Sequence, residues 1–262
     1  MRPIVCEREL GEGWELTRPT TAALPGVRMS GFHDRGTGGL DMQVAALSAV
    51  TVVIDLGDHP LSVAEDTAPR TVDSLVAGLA PAPHRVRSAA LECLELRLSP
   101  VAAYALLDAA PSELNGVPSA EDLWGAPARR LRERLRDTQT WPERFALATD
   151  FLAGHDTGRS MDPEVTAAWH TMLTRNGQVR IAELAETTGW SRKRLWSRFT
   201  AQVGVTPKRA AMVVRFRRAF DLLLAGHPPA EVAARCGYTD QSHLHRDVTA
   251  FSGLTPGLLA TA

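Results

Sequence analysis

Long apolar runs are missing. No stretch reaches the roughly 18 residues that a membrane-crossing helix needs, so no transmembrane span is expected in these 262 residues. The opening MRPIVCERELGEGW has no apolar signal core, so secretion is not expected either. Cysteine is scarce. Cys6, Cys93 and Cys236 form no CxxC pair and no zinc spacing, which fits a reducing, cytoplasmic setting. Redox sensing through Cys6 or Cys93 is the one chemistry they leave open. No HxH pair stands at a strand position, and His33, His59 and His84 are isolated beside turn signals. The pattern therefore offers no catalytic site, metal site or cofactor, and no enzyme is expected. Charge of one sign is also missing: the net charge is −1, which taken alone argues against a nucleic-acid partner.

The distribution of charge reverses that argument. Residues 177–262 hold 12 basic and 6 acidic residues, a net of +6, while the remainder holds 17 and 24, a net of −7. A basic block on an acidic body is the footprint of a DNA-binding module confined to one end of a protein.

The same block contains one pattern twice. IAELAETTGWSRKRLWSRFTAQVGVTP ends at Pro207, and PAEVAARCGYTDQSHLHRDVTAFSGLTP ends at Pro256. Ala182, Glu183, Ala185, Gly189 and Trp190 answer to Ala230, Glu231, Ala233, Gly237 and Tyr238. Leu195, Phe199, Gly204, Thr206 and Pro207 answer to Leu244, Val248, Gly253, Thr255 and Pro256. Such a repeat is one structural unit used twice. In each copy an apolar helix stops at a Gly suited to a left-handed cap. Ser191, and Thr239 or Asp240, can cap a second helix. Leu195 and Phe199 then fall four apart on one buried face. This is a helix-turn-helix, whose second helix enters a DNA major groove. Residues 208–225 form a helix between the copies, about 27 Å long, able to hold two recognition helices near the ~34 Å spacing of successive major grooves.

At these residues the chain resembles the DNA-binding domain of AraC-type transcriptional regulators. The resemblance rests on LAETTGWSRKRLWSRFTAQVGVTP, the Arg215, Ala219, Leu222 and Leu223 positions of the linking helix, and VAARCGYTDQSHLHRDVTAFSGLTP. It departs at Ala210 and Ala211, where the family often has an aromatic residue, and at Val248, where it usually has Phe. It implies base-reading positions at Lys193, Trp196 and Ser197, with Arg192, Arg194 and Arg198 placed for phosphates. In the second motif it implies contacts from Gln241, Ser242, His243, His245 and Arg246. Lys193 can donate to guanine and Trp196 can contact a thymine methyl; Gln pairs with adenine and Arg with guanine. Packing in a core is the competing role for Trp196, and a solvated face for each arginine. His243 and His245 flank Leu244, so both are expected to point outward. Arg215 matches a regularly basic position and is expected to brace the two motifs.

The N-terminal part reads as β. Residues 27–32, 51–56, 74–77 and 91–98 are short apolar or alternating runs, and the last alternates from Cys93 as a half-buried strand would. Turn signals separate them at residues 35–39, 55–60 and 80–83. Short strands with such turns give a sandwich or barrel. The resemblance implies a cupin-like barrel that senses a ligand, and VTVVIDLGD with ECLELRLSPVAAYALL is similar to the N-terminal region of a group of actinobacterial AraC-like regulators. From Pro100 the periodicity is helical, with helices at 101–107, 126–137, 141–152 and 163–173, the last capped by Asp162, and a turn at 111–114. Family members dimerise through such a region. Leu131, Leu135, Phe145 and Leu152 are the candidates, with packing on the chain's own barrel as the alternative.

The expected fold is α+β: a β-rich, cupin-like domain (1–99), a helical linker or dimerisation region (100–174), and an all-α double helix-turn-helix domain (175–262). The expected function is sequence-specific regulation of transcription. The partners are double-stranded promoter DNA, a small-molecule effector, a second copy of the chain and, for an activator, RNA polymerase; no membrane is involved. Two rival readings are a cupin-type metalloenzyme with an attached DNA-binding domain and an interaction module that no longer reads DNA.

Overall fold

The computed structural model describes residues 13–21, 24–34, 40–64, 69–79, 82–107, 111, 114 and 119–260. The 35–39 turn, residues 80 and 81, residues 112 and 113 of the 111–114 turn, and Cys6 lie outside them. Among the described residues nine strands come first: β1 (Trp14–Thr17), β2 (Val27–Asp34), β3 (Leu40–Val44), β4 (Val50–Asp55), β5 (Leu61–Val63), β6 (Arg70–Val72), β7 (Ser74–Ala77), β8 (His84–Ser88) and β9 (Glu92–Leu98). They form two antiparallel sheets, one ordered β1-β2-β9-β4-β7 and the other β3-β8-β5-β6.

Strand β9 lies in the middle of the larger sheet, with β2 and β4 on its two sides. Successive side chains of a strand point to opposite faces. Leu94, Leu96 and Leu98 therefore share a face with Val50, Val52 and Ile54, and this face is buried under helices. The other face of β9, carrying Cys93, Glu95 and Arg97, is not solvated as a half-buried strand would be. It looks inward toward the smaller sheet and lines a cavity. The charged residues at alternate positions face the space between the two sheets.

Helices α1 (Pro100–Leu106), α2 (Ala120–Trp124), α3 (Ala126–Asp137) and α4 (Trp141–Gly154) cover the leucine face. Leu131, Leu135, Phe145 and Leu152 all point into this core, at 5% exposure or less. They pack on the chain's own sheet and are not presented to a second copy. Gly31 of β2 sits where α4 crosses: an added Cβ would lie 2.3 Å from the Trp141 ring.

The remaining helices are α5 (Pro163–Thr174), α6 (Ile181–Thr187), α7 (Arg192–Val203), α8 (Pro207–Leu224), α9 (Pro229–Arg235), α10 (Gln241–Ser252) and α11 (Pro256–Ala260). The repeat is realised as α6–α7 and α9–α10. Ser191 accepts from the Arg194 N–H, and Asp240, not Thr239, accepts from the His243 N–H. Both second helices end on a left-handed glycine, Gly204 at φ 88° and Gly253 at φ 72°. Asp162 is the N-cap of α5 but makes no side-chain cap bond; its carboxylate is used elsewhere.

Two separate cores hold the motifs. Leu184, Leu195 and Phe199 pack with α5 and with Ala210, Ala211 and Val214 of α8. Leu244, Val248 and Phe251 pack with Val213, Phe216, Phe220 and Leu223 of α8. The β-rich part touches both. Leu79 joins the first core, together with Val101 and Tyr104 of α1, while Ala45 and Ala46 join the second. The Ala46 N–H donates to the Phe251 carbonyl at 2.8 Å. The two capping glycines meet different parts: an added Cβ on Gly204 would lie 2.5 Å from the Pro111 carbonyl of the helical region, and one on Gly253 3.1 Å from the Gln43 amide of the β-rich part.

Asp55 is fully buried at the end of β4, with Oδ1 accepting from the Gly57 N–H at 3.3 Å. Burial raises its carboxyl from 3.8 to about 6, offset in part by that bond and by Arg132.

Two outcomes are expected. Gly31→Ala must displace Trp141 and should cost about 1–3 kcal/mol, seen as a lower urea midpoint at unchanged slope. The folded chain holds the Asp55 proton more tightly than the unfolded chain does. Its stabilising contribution is therefore complete below the unfolded value of 3.8 and declines until pH passes about 6. Asp55→Asn should remove that decline, gaining up to about 3 kcal/mol at pH 8; urea unfolding at pH 5 and pH 8 compares the two proteins.

Candidate nucleic-acid interface and barrel cavity

The outer face of α7 is built by its own periodicity. Leu195 and Phe199 are fully buried, which leaves Arg192, Lys193, Arg194, Trp196, Ser197 and Arg198 all exposed. The Trp196 indole is 53% exposed and takes no part in the core. The cations are not equivalent. The Arg198 guanidinium grips the Asp162 carboxylate at 2.7 and 2.9 Å, which holds that carboxyl below its usual range. Arg194 stacks over the Trp190 ring at 4.4 Å.

On α10, Gln241, Ser242, His245 and Arg246 are exposed. His243 does not point outward as its place beside Leu244 suggests. It is half-buried, edge-on to the Tyr238 ring at 5.1 Å, with Nε2 3.4 Å from Arg215. The turn of the helix at its capped start carries position 243 toward α8, so sequence adjacency to a buried residue is a poor guide there. Asp247 is buried and accepts from Arg215 at 2.9 Å, while Arg215 also lies over the Tyr238 ring at 4.4 Å. Burial pushes the Tyr238 phenol up. Arg215 thus ties α8 to the second motif rather than linking the two motifs to each other.

The second feature is a cavity of about 580 Å³ between the two sheets. Its walls are largely apolar, among them Trp14, Leu16, Phe32, Met42, Val53 and Val86. Arg28, Thr51, Glu95 and Arg97 add polar groups from the larger sheet, and Arg217 and Asp221 of α8 complete the wall. Sequence reasoning missed these residues. The one visible signal was the charge at alternate positions of β9, which reads equally as a wet face. Cys93 lies in the same wall, and burial pushes its thiol well up, away from the thiolate that oxidation needs. Among the described residues no three His, Cys, Asp or Glu side chains gather as a metal site, and no helix is long and apolar enough to cross a membrane.

The chain was compared with known proteins. A helix-turn-helix domain family matches residues 184–261. The chain is 39% identical over 66 residues to YbfI, an uncharacterized HTH-type transcriptional regulator of Bacillus subtilis; this covers 25% of the chain and 24% of that protein. The fold is similar to that of ToxT from Vibrio cholerae, bound to (E)-4-(8-methylnaphthalen-1-yl)but-3-enoic acid, at TM-score 0.53 and 10% identity, over 90% of this chain and all of that one. A transcriptional regulator from Chromobacterium violaceum, described by its AraC-type DNA-binding domain, matches 38% of this chain and 90% of its own at 22% identity and TM-score 0.36.

Removing Asp247 leaves the largely buried Arg215 without its carboxylate. Asp247→Ala should therefore cost about 3 kcal/mol in urea unfolding, while Asp162→Ala, at a more exposed pair, should cost under about 1 kcal/mol. The alternating buried and exposed faces, the two capped turns and the sequence match agree: residues 184–261 match the helix-turn-helix domain family.

Proposed function

We propose that the chain is a regulator of transcription that binds promoter DNA through α7 and α10 in successive major grooves. The observation that carries this reading is the outer face of α7. It keeps three consecutive cations and an exposed indole in solvent, although a domain with a packed core has no structural need of either. Lys193, Trp196 and Ser197 are read as base contacts, and Arg192 as a phosphate contact. Arg194 and Arg198 reach phosphate only by leaving Trp190 and Asp162. In the second motif Gln241, Ser242, His245 and Arg246 face outward, and His243 is read as a support for the turn.

The β-rich part (1–99) is the regulatory domain in this reading, with 100–174 as the connecting helical region and 175–262 as the DNA-binding part. The cavity accommodates a small-molecule effector, as the ligand-bound ToxT of the same fold accommodates one. Association with RNA polymerase, a cytoplasmic location and a dimer belong to the same proposal, the dimer through a surface other than the buried Leu131, Leu135, Phe145 and Leu152. The metalloenzyme reading is not favoured, because the cavity wall is mostly apolar and the described residues gather no ligand set.

Selection of bound fragments from genomic DNA, followed by gel shifts on the enriched sites, tests the proposal. Selective binding that weakens steeply with salt is expected. Arg192→Ala should weaken all sites alike and lower the salt slope by about 1. Lys193→Ala should cost about 1–3 kcal/mol at particular base pairs. No enrichment, or enrichment unchanged in both variants, would overturn the DNA-reading role.

A further inference from the structure

The repeat lays the two motifs over one another: Trp190, Leu195 and Phe199 answer to Tyr238, Leu244 and Val248. Positions 194 and 198 of α7 then answer to 243 and 247 of α10. The chain engages both pairs of positions alike. Arg194 lies over the Trp190 ring, and His243 stands edge-on to the Tyr238 ring. Arg198 is paired with Asp162 at the start of α5, and Asp247 with Arg215 of α8. In each copy a preceding helix grips the recognition helix at one position, with the signs of the pair exchanged. At the second motif that position is acidic and 5% exposed, so it faces α8 and not DNA. Position 198 lies on the corresponding flank of α7.

Asp162 is itself fixed in place. Its N–H donates to Oε1 of the buried Gln202 at 2.9 Å, one turn beyond Arg198 on α7. Its neighbour Met161 is part of the first motif's core. The chain just before it is tied to α1: the Thr157 hydroxyl donates to the Ala105 carbonyl at 2.8 Å, and Arg159 lies over the Tyr104 ring at 4.3 Å. An aspartate at a helix start ordinarily accepts from its own helix. This one makes no such bond, and both its oxygens accept from Arg198. A guanidinium fork on a carboxylate is a strong, geometrically specific pair. Arg194 lies in the field of the same carboxylate.

Moving Arg198 to a DNA phosphate exchanges one anionic acceptor for another. It also leaves the Asp162 carboxylate without its main partner beside the negative backbone, which repels it. The exchange therefore gains nothing that the pair does not already supply.

We propose that Asp162 takes the place of a DNA phosphate on Arg198, so that α7 meets the backbone with one cation fewer than it exposes. This rests on the reading of α7 as a DNA-binding helix. Asp162 is a positioning residue: it acts on DNA affinity through Arg198. The resemblance that places Arg198 at a phosphate holds only when that carboxylate is removed.

The test measures the full chain on a duplex of random sequence over a range of salt, where the slope counts phosphate contacts. Arg198→Met should leave the parent's slope unchanged, whereas Arg192→Ala lowers it by about 1. Asp162→Asn, which keeps a good capping residue, should steepen the slope by about 0.9 and tighten binding at low salt. Arg198→Met added to Asp162→Asn should return the slope to the parent's. Asp156→Asn removes a carboxylate of the same loop that accepts from the Gly158 N–H, and it should change nothing. Urea unfolding of each variant separates loss of fold from loss of contact. An unchanged slope in Asp162→Asn, or a loss in Arg198→Met equal to that in Arg192→Ala, would overturn the inference. So would a gain that survives in the double variant or appears equally in Asp156→Asn, since removal of charge alone would then explain it. An unchanged slope in Arg192→Ala has a different signature: it overturns α7 as the DNA-binding face, and this inference with it.

Discussion

Helix α8 has to satisfy three surfaces at once, and the rest of the structure depends on how its eighteen residues divide them. Ala210, Ala211 and Val214 complete the first motif's core, while Val213, Phe216, Ala219, Phe220 and Leu223 complete the second. Neither motif could bury its own apolar face alone: each has only a short first helix and one face of its second. The small residues at 210 and 211, a departure from the family pattern, stand where the chain passes closest. A Cβ on Gly177 would lie 2.2 Å from the Ala211 carbonyl. Two of the cations on α8 are committed to fixed partners. Arg215 goes to Asp247, and Arg217 to Asp221 beside the cavity.

The larger sheet is covered on both faces, but by different things. Its leucine and valine face meets four helices and is packed tightly enough that Gly31 is required under Trp141. Its other face meets a second sheet that stands off, and the space between is the cavity. Glu95 and Arg97 are tolerated there because they neutralise one another, whereas the same charges on the leucine face would be desolvated without partners.

The two recognition helices share a pattern and differ in what they expose. α7 presents four cations, one of them held by Asp162, and an indole; α10 presents Gln241, Ser242, His245 and Arg246, with its acidic Asp247 turned inward onto Arg215. The first is suited to hold DNA electrostatically, while the second adds fewer charges and is the one that the β-rich part contacts through the wall of a cavity. Under the proposed function, this asymmetry would make the first motif the anchoring one and the second the adjustable one.

The repeat, its caps and its buried positions were legible in the sequence, because a helix's periodicity and end signals are local. Ser191, Gly189 and Gly237, Leu195 and Phe199 do in the structure what their spacing implies. The α+β division was legible for the same reason. Local pattern left three things open. It did not show that Leu131, Leu135, Phe145 and Leu152 face the chain's own sheet, that His243 turns to Tyr238, or that Arg198 is held by Asp162, 36 residues away. Nor did it show the cavity, whose wall draws on eight of the nine strands or their flanks and on α8. Sequence by itself determined the helices at 101–107, 126–137, 141–152 and 163–173, those of the repeat and its linker, and four of the strands; β1, β3, β5, β6, β8, α2 and α11 were not among them. Only the tertiary structure decided what each face meets, because burial and pairing are properties of residues distant in the chain that folding brings together.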